Sequence, residues 1–332
     1  MNLPDLSPLS GHNVLVTGAT GMIGSMLVQT LMEQSARWGY SVYALGRNAE
    51  RARTLFSEYG SRKEFHFIRH DITDQLDAPV DFHYIFHLAS GAAPQAMRDD
   101  PVGVMKANFI GTDNLLSYGL KHNMKRFLLV SSGEVYGEGV NGAFSETDSG
   151  YVDSMRPRSC YPSSKRAAET LCAAYMAQFG ADIVVARPCH VYGASFTESD
   201  NRAYAQFIRN VVHGEDIVLN SSGTQYRSWL YVEDCVSALL YILLKGERGE
   251  AYNVADENSC LTIRELAETI AKIGGRQVVV AGDAGNDSGN SNITRAVFNT
   301  EKLRAIGWKP ENSYQEALIH IVKQKMKGNK RR

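Results

Sequence analysis

The run Val14-Leu15-Val16-Thr17-Gly18-Ala19-Thr20-Gly21-Met22-Ile23-Gly24 decides the fold. It begins as a short apolar stretch of strand character. From Met22 onward the apolar residues recur at helical spacing, through Leu27-Val28 to Leu31-Met32. The glycines therefore stand where a strand turns into a helix. Glycine permits the tight turn and a close approach of backbone to ligand. The unpaired N–H groups of the helix start, at the positive end of its dipole, suit a phosphate. The turn thus fits a dinucleotide pyrophosphate held by Gly18, Thr20, Gly21, Met22, Ile23 and Gly24, although Gly-rich turns also join strands to helices in folds that bind nothing.

Outward from this turn, strand and helix patterns alternate. Strands are expected over 14–17, 41–45, 64–69, 84–88, 127–131 and 183–187, with helices to about residue 34 and over 49–59, 101–122 and 161–179. That rhythm predicts an α/β fold, a doubly wound parallel sheet of Rossmann type. Beyond Arg187 it breaks, and segments rich in Gly, Asn and Ser at 220–223 and 282–292 alternate with short helices. A smaller C-terminal substrate-binding lobe is expected there. The division is a dinucleotide-binding domain over 1–187, to which 229–255 returns, and a lobe made of 188–228 and 256–332, with the substrate between them.

Two further motifs add chemistry. Tyr161 and Lys165 stand four apart at the start of a helix with Pro162 in its first turn, so both project from one face. A tyrosine that must accept a proton near neutral pH needs a positive neighbour, because an unperturbed phenol titrates at about 10. Lys165 and an oxidised nicotinamide ring would both serve. In isolation the spacing also fits a surface tyrosine beside a solvated lysine; its context argues otherwise. That context includes Ser131-Ser132-Gly133-Glu134-Val135-Tyr136-Gly137 after an earlier strand and Gly223-Thr224-Gln225-Tyr226-Arg227-Ser228.

Composition sets bounds. With 332 residues, 44% of them hydrophobic, the chain can bury a full core. A net charge of −1 argues against nucleic acid, and the six Lys or Arg between 323 and 332 read as a solvated tail. The five cysteines (Cys160, Cys172, Cys189, Cys235, Cys260) have no close paired spacing, and neither a leader nor a membrane-length apolar run is visible. The cytoplasm is the expected compartment, with no membrane partner and no metal site. Cys160, beside Tyr161, reads as a packed thiol because no activating base stands near it in sequence.

Together these motifs resemble the extended short-chain dehydrogenase/reductase superfamily, in its nucleotide-sugar epimerase, dehydratase and decarboxylase branch. The resemblance covers nearly the whole chain. It includes His87-Leu88-Ala89-Ser90, Asn108-Phe109-Ile110-Gly111-Thr112, Ala186-Arg187-Pro188 and Ile306-Gly307-Trp308-Lys309-Pro310. Within the branch the chain is most similar to the UDP-glucuronate decarboxylases, through Arg158-Ser159-Cys160-Tyr161, Lys165-Arg166-Ala167-Ala168-Glu169-Thr170, and Tyr231-Val232-Glu233-Asp234 after Ser228.

The resemblance implies an enzyme that oxidises a sugar C4 hydroxyl transiently with a bound nicotinamide cofactor. Tyr161 would be the base, Ser132 its partner on the same oxygen, and Lys165 the neighbouring cation. Arg227 would orient the reacting end, and Glu134 would position the sugar or deliver a proton at C5. Outside this motif, Arg227 would read as a surface ion pair and Glu134 as a strand-end carboxylate. The cofactor would further meet Asp71, Ile72, Leu88, Ala89 and Arg187, and the nucleotide sugar Ser90, His190, Arg202 and Arg295. The helices over 101–122 and 161–179 would pair across a two-fold axis in a homodimer.

Three positions depart from the pattern. The second strand ends Ala44-Leu45-Gly46-Arg47-Asn48, without the usual Asp for the ribose hydroxyls. Arg47 could pair with a 2′-phosphate, which tilts the cofactor to NADP with NAD close behind, or it could be a solvated helix-start residue. Gly133 stands where decarboxylases usually carry Ser and dehydratases an Asp, which argues against dehydration. His190 replaces an Asn that contacts nucleotide phosphates in many relatives. A 4-epimerase is the main alternative, followed by a 4,6-dehydratase and an NADP-dependent ketosugar reductase. Outside enzymes, the alternative is a dinucleotide-sensing scaffold, which typically loses the Tyr/Lys pair that is intact here.

Overall fold

A computed structural model of the chain describes residues 1–139, 142–196, 200–281 and 294–329. The Gly/Asn/Ser-rich stretch 282–292 and the last three basic residues lie outside the described residues. The first half contains β1 (Asn13–Thr17), α1 (Met22–Trp38), β2 (Ser41–Gly46), α2 (Ala49–Leu55), β3 (Phe65–Arg69), β4 (Tyr84–His87), α3 (Pro94–Asp99), α4 (Pro101–Lys121), β5 (Arg126–Val130), α5 (Cys160–Phe179) and β6 (Ile183–Pro188). The second contains β7 (His190–Tyr192), α6 (Ala203–His213), β8 (Ile217–Leu219), β9 (Tyr226–Tyr231), α7 (Val232–Lys245), β10 (Ala251–Val254), β11 (Cys260–Thr262), α8 (Ile263–Gly274), β12 (Val278–Val280), β13 (Arg295–Ala296), α9 (Glu301–Ala305) and α10 (Tyr314–Asn329).

The first six strands and β10 form one parallel sheet in the order β10-β6-β5-β4-β1-β2-β3. The strand order reverses between β1 and β4, which opens a crevice beyond the carboxyl ends of these strands. β1, β4, β5 and β6 are almost wholly buried, as strands covered on both faces must be. α1 runs four residues past its expected end, to a left-handed Gly39 whose N–H caps the Ser35 carbonyl. The helix expected over 49–59 stops at Leu55 and gives way to a short 3-10 turn at Ser57–Tyr59.

After β6 the chain builds a second sheet in which β9 pairs with β7, β11 and β13. α7 and β10 then return to the main sheet, while Trp229–Tyr231 stay in β9 of the smaller one. The two parts share one continuous core, in which Val16, Leu128 and Ala186 of the main sheet join Phe207 and Ile208 of α6, Leu266 of α8 and Ile321 of α10. The smaller sheet is therefore fixed against the crevice by the hydrophobic core itself. Among the described residues, no helix is long and apolar enough to cross a membrane.

Candidate active site

The glycine turn has the shape its spacing predicts. Gly18 has φ +65°, and a Cβ there would meet the backbone of Leu88 and Ala89 at 2.9 Å. A Cβ on Gly24, in the first turn of α1, would lie 2.3 Å from the Gly18 carbonyl oxygen. Both positions exclude any side chain, so the loop after β4 and the start of α1 close directly on the turn. Gly21 caps α1 in extended conformation with no side chain over the first N–H groups. Thr17, at the end of β1, holds the facing loop: its Oγ1 accepts from the amides of Leu88 and Ala89 at 3.1 and 3.2 Å and bonds His87 Nδ1 at 2.8 Å. Next to it the buried Ser90 Oγ has no partner among the described residues, nor has Ser131 Oγ at the end of β5. A cradle bare of side chains, rimmed by unpaired hydroxyls, fits a dinucleotide.

At the far end of the cradle, Arg47 is 81% exposed and meets Asp71 at 3.5 Å, while Asp71 also accepts from Thr73. Ile72 turns its side chain inward against Gly111 of α4. Arg51, one helical turn beyond Arg47, donates from Nε to the Thr20 carbonyl at 2.9 Å and so braces the turn. Arg51 carries no distinguishing signal in the sequence, being a basic residue in a short surface helix. Arg187 is a correction: expected at the cofactor, its guanidinium is taken by Glu169 at 2.6 and 3.0 Å, by the Tyr136 hydroxyl and by the Glu146 carbonyl. A guanidinium with four bonds inside the protein acts as a tie between β6, α5 and the segment after β5.

Ser132, Glu134, Tyr161 and Lys165 converge where β5 ends against the first turn of α5. Ser132 caps a short 3-10 turn over Gly133–Tyr136, accepting from the Glu134 amide, and its hydroxyl lies close enough to the Tyr161 phenol to favour the phenolate. Tyr161 and Lys165 are 7% and 3% exposed. Burial, with the Glu134 carboxylate behind it, pushes the phenol up to about 12, while Ser132, Arg158 and Arg202 pull the other way. Lys165 was expected to be the cation that lowers the phenol. Its ammonium instead donates to the Val130 carbonyl at 2.7 Å and lies 5.9 Å from the tyrosine ring centre. Burial drops the Lys165 ammonium to about 8.

Arginines surround this group. Arg158 Nη2 holds Glu134 Oε1 at 2.9 Å, and Arg202 grips Asp200 through two nitrogens, the nearer contact at 2.5 Å. Arg227 on β9 donates to His190 Nε2 on β7 at 2.6 Å and to Gln225 Oε1 at 3.1 Å. His190 is therefore seated on a guanidinium. Burial first, then Arg227 and Arg202, hold its imidazole well below the usual range, so it is neutral and its Nε2 is an acceptor. Arg295, on β13 beside β9, is exposed and lies over the Tyr226 ring. Arg158, Gln225 and Asp200 were not singled out from sequence, since each acts through a partner that only folding brings near. A Cβ on Gly133 would lie 2.4 Å from the Phe298 ring, which fills the place a side chain would take. Cys160 is buried and its thiol pushed up by that burial, in keeping with a packed thiol.

A model of the NAD-dependent epimerase/dehydratase family matches residues 14–255. UDP-glucuronic acid decarboxylase 5 of Arabidopsis thaliana is 32% identical over 322 residues, 95% of this chain and 92% of the relative. Decarboxylase 6 of the same plant is 35% identical over 264 residues, 80% and 75% of the two chains. Among solved structures, a variant of UDP-glucuronic acid 4-epimerase from Bacillus cereus, in complex with UDP-4-deoxy-4-fluoro-glucuronic acid and NAD, superposes with a TM-score of 0.80 at 25% identity and covers 94% of this chain and 99% of its own.

Proposed function

This chain belongs to the NAD-dependent epimerase/dehydratase family of enzymes, and from that premise we propose that it decarboxylates a nucleotide sugar of the UDP-glucuronate kind through transient oxidation at C4. The observation that carries this reading is the charge at the reacting end. Among the described residues, the arginines Arg158, Arg202 and Arg227 stand there with the carboxylates Glu134 and Asp200. A buried excess of positive charge calls for an anionic substrate group, and a C6 carboxylate lies next to the C4–C5 bond where the chemistry occurs.

Tyr161 takes the proton from the C4 hydroxyl while Ser132 bonds the same oxygen. When bound, the oxidised nicotinamide supplies the hydride acceptor and a positive charge beside the phenol. The 4-keto group is then beta to the carboxylate. The C5–C6 bond breaks with carbon dioxide leaving, its electron pair passes into the C4–C5 enolate, and C5 takes a proton delivered from the Glu134 side. With the hydride returned to C4 by a bound nicotinamide, Tyr161 gives its proton back to the C4 oxygen, so the cycle is redox-neutral. Lys165 and the glycine turn hold the cofactor, and Arg227 orients the carboxylate. Phe298 against Gly133 leaves no room for a second acid, which weighs against dehydration.

NADP is our proposed cofactor, with NAD the alternative, because Arg47 rather than a carboxylate follows β2. The test is incubation with UDP-glucuronate and either cofactor, following carbon dioxide and the sugar by mass and NMR. We expect loss of one carboxyl group. An unchanged mass with a C4 stereoisomer would replace the proposal with 4-epimerisation, the second reading, which Ser132, Tyr161 and Lys165 would support without further groups.

We further propose a homodimer across α4 and α5, where Val102, Met105 and Phe109 at i, i+3 and i+7 and Phe179 are exposed. Light scattering should give twice the chain mass of 36.7 kDa; a monomer at working concentration would refute it. A cytoplasmic location accords with five free thiols.

A further inference from the structure

Arg227 differs from the other arginines of the cleft in what it faces. Arg158 is met by Glu134, Arg202 by Asp200 and Arg187 by Glu169, at 2.9, 2.5 and 2.6 Å. The hydrogen-bond partners of Arg227 are neutral: His190 Nε2 and Gln225 Oε1, at 2.6 and 3.1 Å. Its Nε is buried with no hydrogen-bond partner among the described residues. Burial pulls the guanidinium below its usual range, while Glu134, the nearest carboxylate to act on it, is already bonded to Arg158. A buried cation that keeps its full charge is costly until an anion joins it.

The geometry fixes that cation in place. β7 and β9 are parallel with His190 opposite Trp229, so Arg227, two residues earlier on the same face of β9, is the diagonal neighbour of His190. The His190 ring packs at 5.4 Å from Trp229, which limits its rotation. Acceptors on Nη1 and Nη2 define the guanidinium plane. Without His190 the guanidinium would be free to turn toward Glu134, whose carboxylate would then compensate its charge.

We propose that His190 is a positioning residue and a determinant of specificity: with Gln225 it aims Arg227 at the substrate carboxylate and leaves that cation uncompensated. This rests on the proposed carboxylate-bearing substrate. His190 thus acts on the sugar end through Arg227 and makes no contact of its own with the nucleotide phosphates.

The test is calorimetric binding of UDP-glucuronate, UDP-glucose and UDP to the cofactor-loaded Tyr161→Phe protein, a background chosen to stop turnover. The parent should prefer UDP-glucuronate to UDP-glucose. Adding His190→Phe, which keeps a ring against Trp229 but removes the acceptor, should cut that preference about tenfold or more, the worth of a hydrogen bond to a charged group. UDP and UDP-glucose should bind nearly as before. His190→Gln, whose amide oxygen reaches the Nε2 position, should restore most of the preference. Gln225→Met, acting on the other side of the guanidinium, should lower it and decides the matter should His190→Phe not fold. Equal weakening of all three ligands by His190→Phe would make His190 a phosphate contact and overturn the proposal, as would an unchanged preference. A parent with no preference would remove the carboxylate-bearing substrate and this inference together, whereas a preference that survives in His190→Phe removes the inference alone.

Discussion

Tyr161→Phe should lower kcat by about three orders of magnitude, the usual range for removal of a placed acid–base group, with little change in fold or in affinity for the nucleotide sugar. The substitution deletes one oxygen from a side chain 7% exposed in the first turn of α5. What is lost is the phenolic oxygen beside Ser132, which takes the proton from the sugar hydroxyl in the proposed reaction. The pH profile adds a second readout. Burial holds the phenol at about 12 in the ligand-free chain, so its proton-accepting form grows as pH rises. For the wild type, kcat/KM should therefore climb toward alkaline pH until another group intervenes, and the variant should lack that limb. Carbon dioxide release by the variant at more than a tenth of the wild-type rate would transfer the proton step to another group.

Lys165→Met should abolish most activity and at the same time stabilise the folded chain near neutral pH. Lys165 is 3% exposed, and among the described residues its ammonium has one acceptor, the Val130 carbonyl. Its folded value of about 8 lies below the ordinary 10.5, so between these limits the unfolded chain binds a proton that the folded chain sheds. The sign follows: the charged lysine costs stability in full below about pH 8, and the cost fades as pH rises to about 10.5. A shift of that size corresponds to about 3 kcal/mol. Methionine keeps the volume and drops the charge but strands the carbonyl, at a cost of about 1–2 kcal/mol. A net gain of about 1–2 kcal/mol remains, visible as a rise of a few degrees in Tm at pH 7. The gain should vanish above about pH 10.5. A lower Tm for the variant at pH 7 would mean that the folded chain stabilises the ammonium, contrary to its burial.

Much of the fold was readable because its signals are local. The strands at 41–45, 127–131 and 183–187 match the structure to within a residue, since apolar runs bounded by turn residues encode them directly. Gly18 and Gly24 were legible for the same reason, as each answers a demand of its own backbone. The end of α1 was misplaced because Gly39, its actual stop, lies about two turns beyond the apolar pattern that ends at Met32.

The sequence by itself determined the alternating α/β architecture, the phosphate-ready turn at Gly18–Gly24 and the placing of Tyr161 and Lys165 on one helix face. Each depends on residues within about two helical turns of one another, where backbone preference and side-chain periodicity act. Tertiary structure alone decided which charges meet. Glu134 bonds Arg158 across 24 residues, Arg187 is withdrawn to Glu169 across 18, and the parallel register of β7 with β9 sets His190 against Arg227 across 37. Even Gly133, whose neighbours in sequence suggest only a missing acid, is explained by the Phe298 ring that occupies its side-chain space. Such pairings depend on strand register and core packing between distant segments, and a local pattern carries no record of either.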